Sequence, residues 1–98
     1  MTAAIPDWNG RRATNALQLI RTIGARNNLP CWICHGPIDY TLRYPHRRSC
    51  TVQHIISRRL RPDLTWNPAN WSQAHLQCNQ DYGDGGGVNP YDLGPTSD

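Results

Sequence analysis

Two ligand pairs of identical spacing, Cys31-x-x-Cys34 and His75-x-x-Cys78, constrain this chain more than any other feature in it. The first pair lies in Cys31-Trp32-Ile33-Cys34-His35-Gly36-Pro37, where the Gly and Pro predict a tight turn over 31–37. The second opens a segment that reads as a helix over 75–82. Two ligands on a turn and two on the first turn of a helix can close a tetrahedron around Zn²⁺. The chain has 98 residues, of which 38% are hydrophobic. A chain this small buries only about 60–65% of its unfolded surface, so a structural zinc held by Cys31, Cys34, His75 and Cys78 would supply folding energy that the core lacks. Two disulfides are the alternative for a secreted chain. The N-terminus has no basic-then-apolar signal pattern, so a cytoplasmic location with reduced cysteines is expected. A thioredoxin-type reading of Cys-Trp-Ile-Cys is disfavoured, because that motif follows a strand and opens a helix, whereas here a helix precedes it. Cys50 competes with His75 for a four-Cys site, but it has no ligand near it in sequence and reads as a small buried apolar residue.

Around these ligands the chain divides into a loose start over 1–10, one domain over 11–82 and a Gly/Pro-rich acidic tail over 83–98. Ala13, Ala16, Leu17, Ile20 and Ile23 form one apolar stripe, which predicts a helix over 11–26, ended by Asn27-Asn28 and Pro30. Cys50-Thr-Val-Gln-His-Ile-Ile56 is short and β-branched and predicts a strand over 50–56. Residues 57–69, with Pro62 and Pro68, read as loop. Residues 70–74 are too few for periodicity to distinguish a helix start from a return strand. The expected class is α+β. No run approaches the ~20 apolar residues of a membrane span.

The charges are unusual in kind. All ten basic residues are Arg, all seven acids are Asp, and Phe is absent beside four Trp and four Tyr. Missing Lys and Glu argue against a charged helical bundle or coiled coil. Net charge is +3, and Arg43, Arg47, Arg48, Arg58, Arg59 and Arg61 lie between residues 43 and 61 with no Asp among them. Such a local excess of guanidinium groups suits bidentate phosphate contacts and a polyanionic partner. A solvated loop is the plainer reading of the same charges.

Val52-Gln53-His54-Ile55-Ile56 places a His within an apolar strand, followed by Asn70 and by Ala74-His75-Leu76-Gln77-Cys78-Asn79. In this order, Cys-x-x-Cys, a strand with x-His-Ile and Asn-x-x-x-Ala-His-x-x-Cys-Asn, the segment from about Cys31 to Asn79 resembles the HNH endonuclease family, specifically small phage-type proteins with a structural zinc. The resemblance implies a ββα-metal fold, with 50–56 as first strand, 71–74 as return strand, 75–82 as helix and a divalent cation such as Mg²⁺, Mn²⁺ or Ni²⁺ between hairpin and helix. It implies His54 as the general base that activates water, Asn70 as the residue that orients the His54 ring, and Gln53 and Asn79 as ligands of the catalytic cation. A neutral imidazole is a usable base near pH 7.

The resemblance further implies DNA as substrate, cut by nicking or double-strand cleavage. The six Arg would grip phosphates on both sides of the cut, with weak sequence preference and steep salt dependence. A phage packaging terminase is a possible partner by resemblance alone, and the location would be the bacterial host cytoplasm.

One position departs from the family pattern. Gln53 stands where the family usually has Asp, so two neutral amide oxygens face a hard cation that prefers carboxylates. A DNA-binding or packaging-accessory module with weakened catalysis is therefore the alternative function, and a zinc-knuckle adaptor for protein partners a more distant one. Asp81, within a helical turn of Asn79, is either an additional ligand or a solvated helix end. Trp66 and Trp71 either stack on DNA or pack against the hairpin, and packing is the preferred expectation.

Overall fold

A computed structural model describes residues 4–82. The element order is α1 (Gly10–Asn27), β1 (Cys50–His54), two 3₁₀ turns (Pro62–Leu64 and Pro68–Asn70), β2 (Trp71–His75) and α2 (Leu76–Tyr82). The result is a small α+β fold: an N-terminal helix, a two-stranded antiparallel hairpin and a short helix that follows it. The tail expected over 83–98 lies outside the described residues.

The α1 stripe is real but rotated from the expected one. Ala16, Ile20 and Gly24 are buried, while Ile23 is 41% exposed. Gly24 takes the inward place because the Tyr40 ring lies against its backbone. A Cβ built there would fall 2.5–2.6 Å from Tyr40 Oη, Cε1 and Cζ. Tyr40 cannot easily yield, since its hydroxyl donates to the Leu29 carbonyl. The helix closes at Asn28, which adopts the left-handed conformation (φ +52°) that an Asn tolerates, and Leu29 N–H returns to Gly24 O at 2.9 Å.

β1 pairs with β2 in the register Cys50↔His75, Val52↔Gln73 and His54↔Trp71. Alternation sends Cys50, Val52 and His54 to one face of β1 and Thr51 and Gln53 to the other. Cys50 and Val52 join Ala16 and Ile20 of α1 in the core, with Cys31, Ile38 and Ala74. Gln53 instead meets α2. β1 is thus covered on both faces, which is why Val52, Gln53 and His54 are all buried in succession.

The strand expected over 50–56 ends its regular pairing at His54, and Asn70 explains the difference. Ile55 N–H donates to Asn70 O at 2.8 Å, and the Asn70 side chain then serves Ile56 as a neighbouring peptide would: its Oδ1 accepts from Ile56 N–H (2.8 Å) and its Nδ2 donates to Ile56 O (3.0 Å). A primary amide has the same donor and acceptor as a peptide group, so it prolongs the ladder by one residue.

The return strand runs one residue further than the expected 71–74, and α2 begins without a loop. That junction would leave helix N–H groups unsatisfied. Leu76 N–H donates to Ser49 O (2.8 Å) and Gln77 N–H to Arg47 O (2.9 Å), so the backbone leading into β1 caps α2.

Gly24→Ala gains up to about 1 kcal/mol in helix propensity, but the overpacked Tyr40 contact costs about 1–3 kcal/mol. The variant should be less stable than the wild type, read as a lower denaturation midpoint with an unchanged m-value.

Candidate functional site

Cys31, Cys34, His75 and Cys78 converge, with one ligand atom of each within 4.8 Å of all the others. Cys31 and Cys34 come from the turn and His75 from the last residue of β2. Cys78 comes from α2, one turn after it. The turn closes through His35 N–H to Cys31 O (2.9 Å) and Cys31 N–H to Gly36 O (2.8 Å), with His35 in the left-handed region at φ +64°. It docks on the hairpin through Trp32 N–H to Gln73 O (2.8 Å) and Gln73 Nε2 to Pro30 O (2.7 Å), which covers part of an otherwise open edge of β2.

The donor chemistry fits Zn²⁺. Carbonyl oxygens only accept, so His75 Nε2, 3.0 Å from Pro37 O, carries the proton. In the neutral ring this leaves the Nδ1 lone pair facing Cys34 Sγ (3.4 Å) and Cys78 Sγ (3.7 Å). A carbonyl that fixes the tautomer of a ligating His is a recurrent feature of zinc sites. Burial lowers the His75 pKa, more than the Pro37 hydrogen bond raises it, and so favours the neutral ligand form.

Cys31 Sγ accepts N–H bonds from Ile33, Cys34 and His75, each at 3.4 Å, and Cys34 Sγ accepts one from Gly36 at 3.4 Å. Burial alone would raise the Cys31 pKa, yet these donors bring it below the ordinary thiol value. Cys78 is pushed up to about 12 by burial and by the neighbouring sulfurs of Cys34 and Cys31. Gathering several sulfurs without a cation is costly, and a bound Zn²⁺ would offset that repulsion. The four residues form a Cys₃His cluster compatible with structural Zn²⁺. Cys50 is not part of it: its buried thiol lies in the core, and burial pushes its pKa up to about 11.

A second group of polar side chains is buried at the hairpin. Gln53 and Asn79, 26 residues apart, meet with Asn79 Nδ2 donating to Gln53 Oε1 at 2.6 Å. Asn79 Nδ2 also reaches Val52 O (3.3 Å), and Gln53 Nε2 donates to His54 O (3.0 Å). Asn79 Oδ1 is buried with no hydrogen-bond partner among the described residues. An acceptor in that state suits a cation or a water, although neither amide contributes charge. Asp81, by contrast, is exposed and accepts from Gln77 Nε2 at 2.9 Å, as a solvated helix end does.

His54 Nε2 lies 2.9 Å from Thr65 O, and Trp71 Nε1 donates to the same oxygen at 2.9 Å. Nε2 therefore carries the proton in the neutral ring, and the lone pair is on Nδ1. The expected contact between Asn70 and the ring differs here. Asn70 holds the backbone two residues beyond His54, and the orienting acceptor is the Thr65 carbonyl. A backbone acceptor has no sequence signature.

Trp8 was equally illegible in a segment read as a loose start. It stacks on Trp66 (4.3 Å between centroids, 22° between planes) and stands edge-on to His54 (4.5 Å, 84°). His54 is 0% exposed as a result of this packing and of its burial in the hairpin. Trp66 and Trp71 also meet edge-to-face, at 6.4 Å, in keeping with the packing role expected of them.

The six Arg are not equivalent. Arg43, Arg47, Arg48, Arg59 and Arg61 are exposed, and Arg58 is half-buried. Arg61 is engaged by both carboxylate oxygens of Asp63, at 2.9 and 2.7 Å, so a nearby Asp beyond the run offsets its charge. Arg47 Nε donates to Gln77 Oε1 (3.1 Å), and Arg58 Nη1 donates to Pro6 O (3.1 Å). No helix among the described residues is long and apolar enough to cross a membrane. Comparison with known protein families, with curated proteins and with solved structures finds no match to this chain.

A structural Zn²⁺ typically contributes on the order of 10 kcal/mol, comparable to the whole stability of a small domain. Elemental analysis should find one zinc per chain, and chelation should abolish the cooperative thermal transition. Cys78→Ser should lose the metal, whereas Cys50→Ser should keep it. Acidification should release the ion as His75 and the thiolates take up protons.

Proposed function

We propose that this chain is a metal-dependent endonuclease of the HNH type, stapled by a structural zinc, that hydrolyses DNA phosphodiester bonds in phage DNA processing or packaging. The observation that supports this reading is a buried His54 ring whose Nε2–H is held by Thr65 O, next in β1 to Gln53, with the buried Asn79 Oδ1 left as an acceptor without a hydrogen-bond partner among the described residues. The chain resembles the HNH family in the order of these same residues.

In this mechanism His54 takes a proton from water at Nδ1 as the water oxygen attacks phosphorus and the bond to the 3′-oxygen breaks. Thr65 O keeps the proton on Nε2 and so keeps the basic nitrogen at Nδ1. Gln53 Oε1 and Asn79 Oδ1 are the groups that would hold a divalent cation. When bound, it would offset charge on the leaving oxygen. The exposed Arg43, Arg47, Arg48 and Arg59 would bind flanking phosphates through charge rather than sequence, with a phage terminase as a candidate partner.

One observation favours the alternative, a DNA-binding or packaging-accessory module with weakened catalysis. The acceptor Gln53 Oε1 is already engaged by Asn79 Nδ2, and the pair is neutral. A cation must break that bond and gains no carboxylate in return.

Plasmid nicking in Mg²⁺, Mn²⁺ and Ni²⁺ separates the two readings. His54→Ala should lower nicking by about 10²-fold or more, the usual worth of a general base. Gln53→Asp should raise activity and lower the cation concentration required. Undiminished nicking by His54→Ala would exclude His54 as the base. An inert wild type rescued by Gln53→Asp would establish the accessory reading.

A further inference from the structure

The residues around Trp8 form a box with one ring inside it. Trp66 lies parallel to the indole at 4.3 Å, while His54 (4.5 Å) and Trp71 (5.5 Å, 75°) meet it edge-on. The segment that delivers Trp8 is tied to the rest of the domain in a particular way. Arg58 Nη1 holds the Pro6 carbonyl at 3.1 Å. Asn9 makes no side-chain cap to α1. At Gly10 the chain turns into α1 with φ +72°, and a Cβ there would meet nothing within 4 Å. Glycine is therefore present for its dihedral freedom and not for lack of space.

We propose that the slot occupied by Trp8 is a nucleobase subsite, in which the indole holds the place of one unstacked base of the DNA substrate. The proposal rests on the endonuclease reading and specifies its substrate. Indole and purine are both flat fused bicycles, and the Trp66 face can stack on any base. Arg58, which holds the Pro6 carbonyl, is a guanidinium beside the slot and suits the phosphate of the same nucleotide. Arg12 lies over the Trp66 ring at 4.0 Å and adds positive charge beside the slot. An open surface depression of about 290 Å³ lined by Arg12, Asn15, Ala16, Leu19, Trp66 and Trp71 shares both tryptophans with the slot and lies where the adjoining nucleotide would run.

Strap and substrate are then mutually exclusive. A base seated in the slot would stand edge-on to His54 as the indole does. A base inside intact duplex must first leave its stack, so unpaired or frayed DNA is the preferred substrate.

Fluorotryptophan-labelled protein gives four ¹⁹F resonances, one per Trp, assignable with single Trp→Phe variants. A short single-stranded oligodeoxynucleotide is titrated in without added divalent cation, and binding is followed in parallel by anisotropy. The Trp8 resonance should move to the solvent-exposed position and the Trp66 resonance should shift with it. An abasic oligonucleotide of equal length should bind and leave Trp8 in place. A strap closed in about nine molecules of ten weakens binding about tenfold, so Trp8→Ala should bind roughly tenfold more tightly. Saturation by the base-containing strand with Trp8 unmoved would overturn the subsite and make Trp8 core packing only. Absence of any anisotropy change would overturn the subsite, while plasmid nicking by the same protein decides the nuclease reading separately. If Trp8→Ala fails to fold, the wild-type titration decides by itself.

Discussion

The fold depends most on the position of His75 as the last residue of β2 and a member of the Cys₃His cluster. That one residue joins three elements: the hairpin it ends, the helix it precedes, and the Cys31–Cys34 turn it meets in space. Its tautomer is fixed by the Pro37 carbonyl, which belongs to the same turn. The turn that contributes two sulfurs thus also orients the imidazole. The fully buried apolar cluster of Ala16, Ile20, Cys31, Ile38, Cys50, Val52 and Ala74 is made of small and medium side chains, with Trp8, Tyr40 and Trp71 packed partly buried against it. A cluster of this size gives limited hydrophobic stabilisation, so a metal held by the Cys₃His cluster would add a large share of the stability.

Because the cluster fixes the β2–α2 junction, it also fixes the polar pair beyond it. Asn79 is one residue after Cys78, and Gln53 lies three residues along β1 from Cys50, the partner of His75 in the register. With the junction held, these amides meet at 2.6 Å. A slip of one residue in the hairpin would turn Gln53 to the α1 face and bring Val52 or His54 to α2. The Cys₃His cluster and the buried amide pair therefore share one hairpin register.

What the sequence revealed follows from where information resides. The ligand pairs were legible because their spacing is local and their chemistry narrow. The α1 stripe was legible in kind, but its angle was set by Tyr40 against Gly24, a contact between residues 16 apart that no helical period encodes. The end of β1 is not legible because Ile56 pairs with a side-chain amide and not with a strand. The acceptor for His54 was hidden in a backbone carbonyl, and Trp8 was hidden in a segment whose Pro6 and Gly10 suggest only a loop. Side-chain identities at short spacing are visible in a sequence, whereas backbone acceptors and aromatic packing across distant segments are not.

Two features at the hairpin oppose each other and define its chemistry. The Gln53–Asn79 pair is neutral and mutually bonded, so on the proposed endonuclease reading a divalent cation would gain little there until a phosphate arrived with its own charge. The His54 ring is covered by Trp8, so on the same reading the indole would have to move before water or phosphate reached Nδ1. An Asp at position 53 would bind metal without DNA and would bury a negative charge beneath the hairpin whenever the metal was absent. On this view Gln53 makes metal binding depend on substrate, at the expense of cation affinity in the resting domain.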